Sequence, residues 1–177
     1  MTPGRHIRPA TMADIDSIMP LTEAAREIMR SSGNMDQWVD GYPSRQTIAS
    51  DIDEGGGFVL ENGQRAVAYF AFLPSPEPTY SHIKGAWLDD DAPYHVIHRI
   101  ASLPQEHGVF ADIMEYCFSI DPNIRIDTHR DNLIMRHNIL KHGFSYCGII
   151  YLASGDERLS YQKIAGRRSV DEGGLTS

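Results

Sequence analysis

Between Tyr94 and Ala111 the chain reads YHVIHRIASLPQEHGVFA: an apolar run rich in β-formers, a short turn, and the start of an amphipathic helix. A strand that ends in a turn and restarts as a helix leaves the first helical amides without internal partners. They converge on one spot, with the positive end of the helix dipole behind them. Phosphate-like anions fit such a place, and a glycine at the tight point, here Gly108, lets a ligand approach the main chain closely. The stretch satisfies neither GxGxxG nor the GxxxxGK[ST] P-loop, so the common nucleotide-binding turns do not describe it.

A second segment has a related layout. Asn123 to Tyr151 reads NIRIDTHRDNLIMRHNILKHGFSYCGIIY. Alternation through Ile124, Ile126 and Thr128 predicts a strand, and Asp131 supplies an N-cap type. Leu133, Met135, Ile139 and Leu140 then predict a helix that stops at Gly143, where a residue with positive φ is needed.

With both segments in view, the chain resembles the GNAT superfamily of N-acetyltransferases. The family's acyl-coenzyme A signature, [Q/R]-x-x-G-x-[G/A] after its central strand, corresponds to Gln105-Glu106-His107-Gly108-Val109-Phe110; Phe110 departs from it, standing where a small residue is usual. The late motif, an Asn before a helix and Gly-Phe opening the next strand, corresponds to Asn132 and Gly143-Phe144. Gln37-Trp38 with Tyr42-Pro43 resembles a bacterial subset of unassigned substrate. The resemblance spans about residues 5–165.

The elements predicted elsewhere fit that order. His6-Ile7-Arg8 reads as a strand, and Thr11 with Asp14 as a capping box opening a helix to about Ser31, with Ile15, Ile18, Leu21, Ala25 and Ile28 on one face. Ser44 caps a second helix that ends at Gly55-Gly56-Gly57. Phe58–Leu60 and Arg65–Leu73 form a hairpin around Asn62-Gly63. The Pro-rich Leu73–Pro78 stretch reads as a surface loop. Ile149–Ala153 and Arg158–Ile164 form a last hairpin, whose second strand, read as exposed, could pair across a homodimer. The expected fold is α+β: a GNAT-like, mixed, mostly antiparallel central sheet flanked by helices, in one domain over 5–165. From Gly166 a polar tail is expected to be loose.

Composition narrows the partners. At 177 residues with 41% apolar content the chain can bury a single core, and its net charge of −8 disfavours a nucleic-acid partner while permitting cationic substrates. No apolar run approaches the ~20 residues of a membrane span, and no signal-peptide layout is present, so neither a membrane nor export is expected and the cytoplasm is the expected location. Cys117 and Cys147 lack metal or disulfide spacing, and the histidines show no metal-ligand pattern, so no metal is expected.

What the resemblance implies is direct attack of a primary amine on the thioester of acetyl-CoA, in a ternary complex with an amine acceptor that is a small molecule or a peptide. An alkylamine of pKa ~10.4 is almost wholly protonated at pH 7, so a base is needed. No Asp or Glu lies between Tyr94 and Ser102. His95 and His98 are the candidates, and their odd separation puts them on opposite faces of the sheet, so that at most one looks into the cleft. The family's acid is a Tyr at the position of Ile139; Tyr146 or Tyr151 could substitute. Main-chain groups near Ile100, Ala101 and Ser102 would hold the oxyanion, the turn from Gln105 to Phe110 with Asn132 would hold the coenzyme, and Arg130 and Arg136 could meet its phosphates. Trp38 and Tyr42 would face the acceptor, or else plug the core edge. The competing readings are a non-catalytic acyl-CoA-binding or regulatory module and, more remotely, a nucleotide-binding regulatory domain.

Overall fold

The structure, a computed structural model, describes residues 1–166; the tail expected to be loose lies, from position 167 on, outside the described residues. The chain opens with β1 (Arg5–Pro9), a short 3-10 turn (Met12–Asp14), α1 (Ile15–Ser31) and α2 (Arg45–Asp53). The hairpin β2 (Gly57–Asn62) and β3 (Arg65–Pro74) follows, then a 3-10 turn (Pro78–Tyr80) and the two-residue β4 (Lys84–Gly85). The second half is β5 (His95–Ser102), α3 (Val109–Ile120), β6 (Asn123–Thr128), α4 (Leu133–Lys141), β7 (Ser145–Tyr151) and β8 (Glu157–Ile164).

Local chemistry sets the element ends. The Thr11 N–H donates to Asp14 Oδ2 at 2.7 Å, closing the predicted box at the entry to α1. The Ser44 hydroxyl accepts from Thr47 N–H at 3.2 Å and caps α2. At α4 the cap is Asn132, whose Oδ1 accepts from Met135 N–H at 3.1 Å, and not the expected Asp131. Both residues are cap formers, and the three-residue reach to a free amide selects the later one.

Among the described residues, eight strands join one sheet in the order β1-β2-β3-β5-β6-β8-β7-β4. Every pairing is antiparallel except β5 with β6. Side chains alternate between two cores. Phe58, Leu60, Phe70 and Phe72 pack with Ile113, Met114, Cys117 and Ile139 from α3 and α4, whereas Val59 and Tyr69 pack with Ile18, Leu21 and Ile48 from α1 and α2.

Two expectations are corrected here. β8 is not an exposed terminal strand: it is paired on both sides, with β6 and with β7, so Arg158–Ile164 offers no free edge for a dimer. The Leu73–Pro78 stretch is not a plain surface loop, because it continues β3 to Pro74 and then turns Glu77 inward against His98.

The feature that makes room for a site is the parting of β5 from β6. They pair only from His95 to Ile97, opposite Ile124 to Ile126, although both strands run on. On the other side of β5 the pairing with β3 slips: Ala71 faces His98 and Tyr69 faces Ala101, so Arg99 and Ile100 together oppose Phe70. Arg99 adopts φ +56, the signature of a bulge that bends its strand. Past Ile97 the β5 edge therefore has no β6 partner, and its main-chain groups face an opening.

Candidate active site

That opening is the joint between two cavities. The first, about 600 Å³, lies between α1, the β5–α3 turn and α4, and its walls include Ile100, Ser102, Glu106, Gly108, Asn132 and Lys141. The second, about 520 Å³, lies on the other side of the split and includes Trp38, Tyr42, Glu77, His98, Asp127 and Arg158. A small void of about 40 Å³, walled by Gln37, Ile97, Ile100, Asp127 and Asn132 among others, sits between them.

At the first cavity α3 begins on Gly108, whose φ of +74 is the left-handed turn that a strand needs to pivot into a helix. The first helical bond runs from Asp112 N–H to the Gly108 carbonyl at 3.1 Å, so the amides ahead of it lack partners inside the helix. His107, Val109 and Phe110 also line this cavity. The Phe110 ring packs into the core and meets His142 edge-on at 4.9 Å, and both residues line this cavity.

Not every residue expected at the coenzyme is brought there. Ala101 faces the opposite core beside α1 and α2. Gln105 is exposed and outside the cavity wall. Arg136 donates to the Arg130 carbonyl at 2.9 Å and Arg130 pairs with Glu157 at 2.8 Å, and neither lines the cavity. The cations that do are Lys141 and, when protonated, His107 and His142. A helix places Lys141 and Asn138 on the face that Arg136 does not share, which the apolar pattern alone did not reveal.

Three amides join the cavities. Asn132 uses Oδ1 for its cap, so its Nδ2 is the donor to Gln37 Oε1 at 2.9 Å. Gln37 Oε1 must then also accept from Asn34 Nδ2 at 2.8 Å. One cap thus fixes the orientation of all three side chains. Asn34 and Asn132 line the first cavity and Gln37 the second.

In the second cavity His98 stands between two carboxylates, with Nε2 3.2 Å from Glu77 Oε2 and Nδ1 3.7 Å from Asp127 Oδ2. Tyr80 donates its hydroxyl to Asp127 at 2.6 Å. Burial opposes the charge on Glu77, yet the hydrogen bond and charge of His98, with the bonds from Thr79, outweigh it and hold the carboxyl down at about 2. His95 takes the other face: it stacks on Phe72 and meets Asp121 at 2.6 Å, away from both cavities. The opposite-face reading of the two histidines therefore holds, and His98 is the one in the cleft.

Trp38 is buried in the core and also lines this cavity, with Tyr42 edge-on at 6.3 Å. Arg99 is tied to Asp51 through Nε at 2.8 Å and through a second, shorter bond, and donates to the Tyr42 hydroxyl at 2.9 Å. Tyr146 is brought to neither cavity: it is 53% exposed on β7, with its ring against Tyr161. Tyr151 lines neither as well. Ile139 is fully buried in the core beneath α4. Asp36, His129 and Asp131 gather ligand-type atoms within 4.8 Å of one another, with both carboxylates exposed. Cys117 and Cys147 are buried, and burial pushes both thiols up, as inert core residues would be.

Glu77, Asp127 and Asn34 are the site residues that sequence reasoning missed; Gln37 belongs to the Gln37-Trp38 motif, though without a role assigned to it there. Asp127 had a signal, since it alternates with the apolar Ile124 and Ile126 and so faces the other side of β6. Glu77 had none, because only the fold brings the Pro-rich turn over β5.

A GNAT-family acetyltransferase from Streptococcus agalactiae superposes with a TM-score of 0.84 at 36% identity, covering 93% of this chain and 98% of that one. GNAT-family structures from Listeria monocytogenes (TM-score 0.68, 18% identity, 90% and 94% covered) and Bacillus cereus (0.59, 19%, 92% and 99%) share the fold. No family model and no curated protein sequence matches the chain. The split sheet, the glycine turn and a likeness over 93% of the chain at 36% identity define the class: this chain belongs to the GNAT family of acetyltransferases. At that level it is an acyltransferase, with the family's fold complete over the described residues. None of its described helices is long and apolar enough to cross a membrane.

Proposed function

We propose that the protein transfers the acetyl group of acetyl-CoA to a primary amine by direct attack within a ternary complex. The observation that carries this is the pair of cavities on either side of the point where β5 leaves β6, with a small void between them. The coenzyme lies in the first, with its pyrophosphate at the Gly108 turn and its thioester at the joint. The amine enters from the second. That wall carries Asp36, Asp40, Glu77, Asp127 and Asp156 against Arg158, with Arg99 already paired to Asp51, so a cationic amine is drawn in.

His98 takes the proton that the ammonium must lose, and Glu77 and Asp127 stabilise the resulting imidazolium. The amine nitrogen attacks the carbonyl carbon, and the oxyanion is held by main-chain donors on the free edge of β5 near Ile100 and Ser102. Collapse breaks the C–S bond. The nitrogen gives up its second proton, to the departing sulfur or to water, as the coenzyme leaves; at a thiol pKa of about 8.5 this departure needs no dedicated acid, in keeping with a buried Ile139 where the family has its Tyr.

The test begins with thermal stability in the presence of acetyl-CoA, CoA, ATP and NAD. A ligand at 100 times its dissociation constant adds about 2.7 kcal/mol, or several degrees in a chain of this size. Stabilisation by acetyl-CoA and CoA alone, followed by thiol release with members of a primary-amine panel, is the expected result. Absence of any coenzyme-specific shift overturns the reading. A shift with no thiol release from any amine favours the non-catalytic module.

A further inference from the structure

We propose that Arg5, on the first strand and about a hundred residues from the coenzyme turn, tunes that turn for phosphate by masking its carboxylates and fixing one of its peptides. The inference rests on the coenzyme reading above. The turn has a charge problem of its own. Glu106 lines the cavity and Asp112 sits in the first turn of α3, so two carboxylates flank a place meant for an anion. Asp112 also competes for the positive end of the helix that a phosphate would use.

Arg5 answers both. Its side chain is 6% exposed, with Nη2 2.7 Å from Glu106 Oε2 and Nη1 2.9 Å from Asp112 Oδ2. The second oxygen of Asp112 accepts from Thr2 N–H at 2.7 Å. One guanidinium charge thereby offsets one of the two carboxylate charges and draws both groups to the side of the turn that faces β1, where the Met1 ammonium also lies 3.9 Å from Asp112 Oδ1. Nη1 also donates to the His107 carbonyl at 2.7 Å. In a trans peptide the C=O and the next N–H point opposite ways, so holding the His107 oxygen toward Arg5 aims the Gly108 N–H away from it. A Cβ built on Gly108 would lie 3.9 Å from Arg5 Nη1, which places the guanidinium directly behind the glycine. Arg5 touches no substrate in this arrangement; it is a positioning residue.

The experiment compares CoA with pantetheine, which lacks every phosphate, binding to the wild type, Arg5→Met and Arg5→Met/Glu106→Gln, by calorimetry and ligand-observed NMR. Arg5→Met should weaken CoA by about tenfold or more, through unmasked like charge. Pantetheine should stay within about twofold, the range of a change remote from the contact. Adding Glu106→Gln should restore most of the CoA affinity, which a merely structural role for Arg5 would not produce. If Arg5→Met does not fold, Arg5→Lys carries the same comparison, since one ammonium cannot reach both carboxylates and the carbonyl. Equal weakening of CoA and pantetheine, CoA affinity unchanged in the variant, or no recovery with Glu106→Gln each overturns the proposal. A wild type that does not bind CoA overturns the coenzyme reading and this inference with it, a result distinct from normal wild-type binding that is insensitive to Arg5.

Discussion

His98 shows how a residue acquires a role from what surrounds it. An imidazole with one carboxylate at each nitrogen is held in orientation from both sides, and all three groups line the second cavity. His98→Gln keeps a polar side chain of similar reach but cannot carry the proton. It should lower kcat by ~10²–10⁴ while the acetyl-CoA stabilisation stays, as read by thiol release and thermal shift in parallel. Glu77 gives a pH signature. Its carboxyl sits at about 2 against an ordinary 4.5, so its contribution to stability is whole above about 4.5 and is lost as the pH falls toward 2. Urea unfolding across that window should show the loss, and Glu77→Gln should flatten it; an unchanged acid limb in the variant would mean the pairing with His98 contributes nothing. Neither residue could be paired with the other by spacing, since the turn that carries Glu77 crosses β5 only in the folded chain.

At the scale of elements, periodicity and cap chemistry were legible. Thr11 with Asp14, Ser44, and Asn62-Gly63 mark ends that the structure keeps, because a cap or a tight turn depends on groups within a few residues. The α4 cap moved from Asp131 to Asn132, a one-residue choice that also decides which way three amides point. β4 escaped notice, being two residues long and without any pattern. It exists because two glycines let β4 and β7 approach: a Cβ on Gly85 would fall 2.2 Å from the Cys147 carbonyl oxygen. Gly85 also has φ +137, so Gly85→Ala should release β4 and cost about 1–3 kcal/mol in urea unfolding. Loss of less than a few tenths would show that β4 adds little.

For the whole molecule, the site is a property of the parted sheet. The first cavity draws its walls from α1, the β5–α3 turn and α4, three pieces far apart in sequence, so a bound coenzyme should tie them together. Hydrogen exchange with and without CoA should slow at the start of α3 and through α4, with the β1–β2 pairing unchanged; uniform slowing would instead point to general stabilisation. The sequence by itself determined the order of elements, the glycine turn that exposes amides, and the separation of His95 from His98 onto opposite faces, because each follows from periods and contacts within one element. Tertiary structure alone decided that β8 is interior, that Arg136 and Tyr146 stand away from the cavities, and that Glu77, Asp127 and Arg5 meet residues remote in the chain. The physical reason is that alternation and capping act over a few residues, whereas strand order, the bulge at Arg99 and the parting of β5 from β6 are settled only when the whole sheet packs.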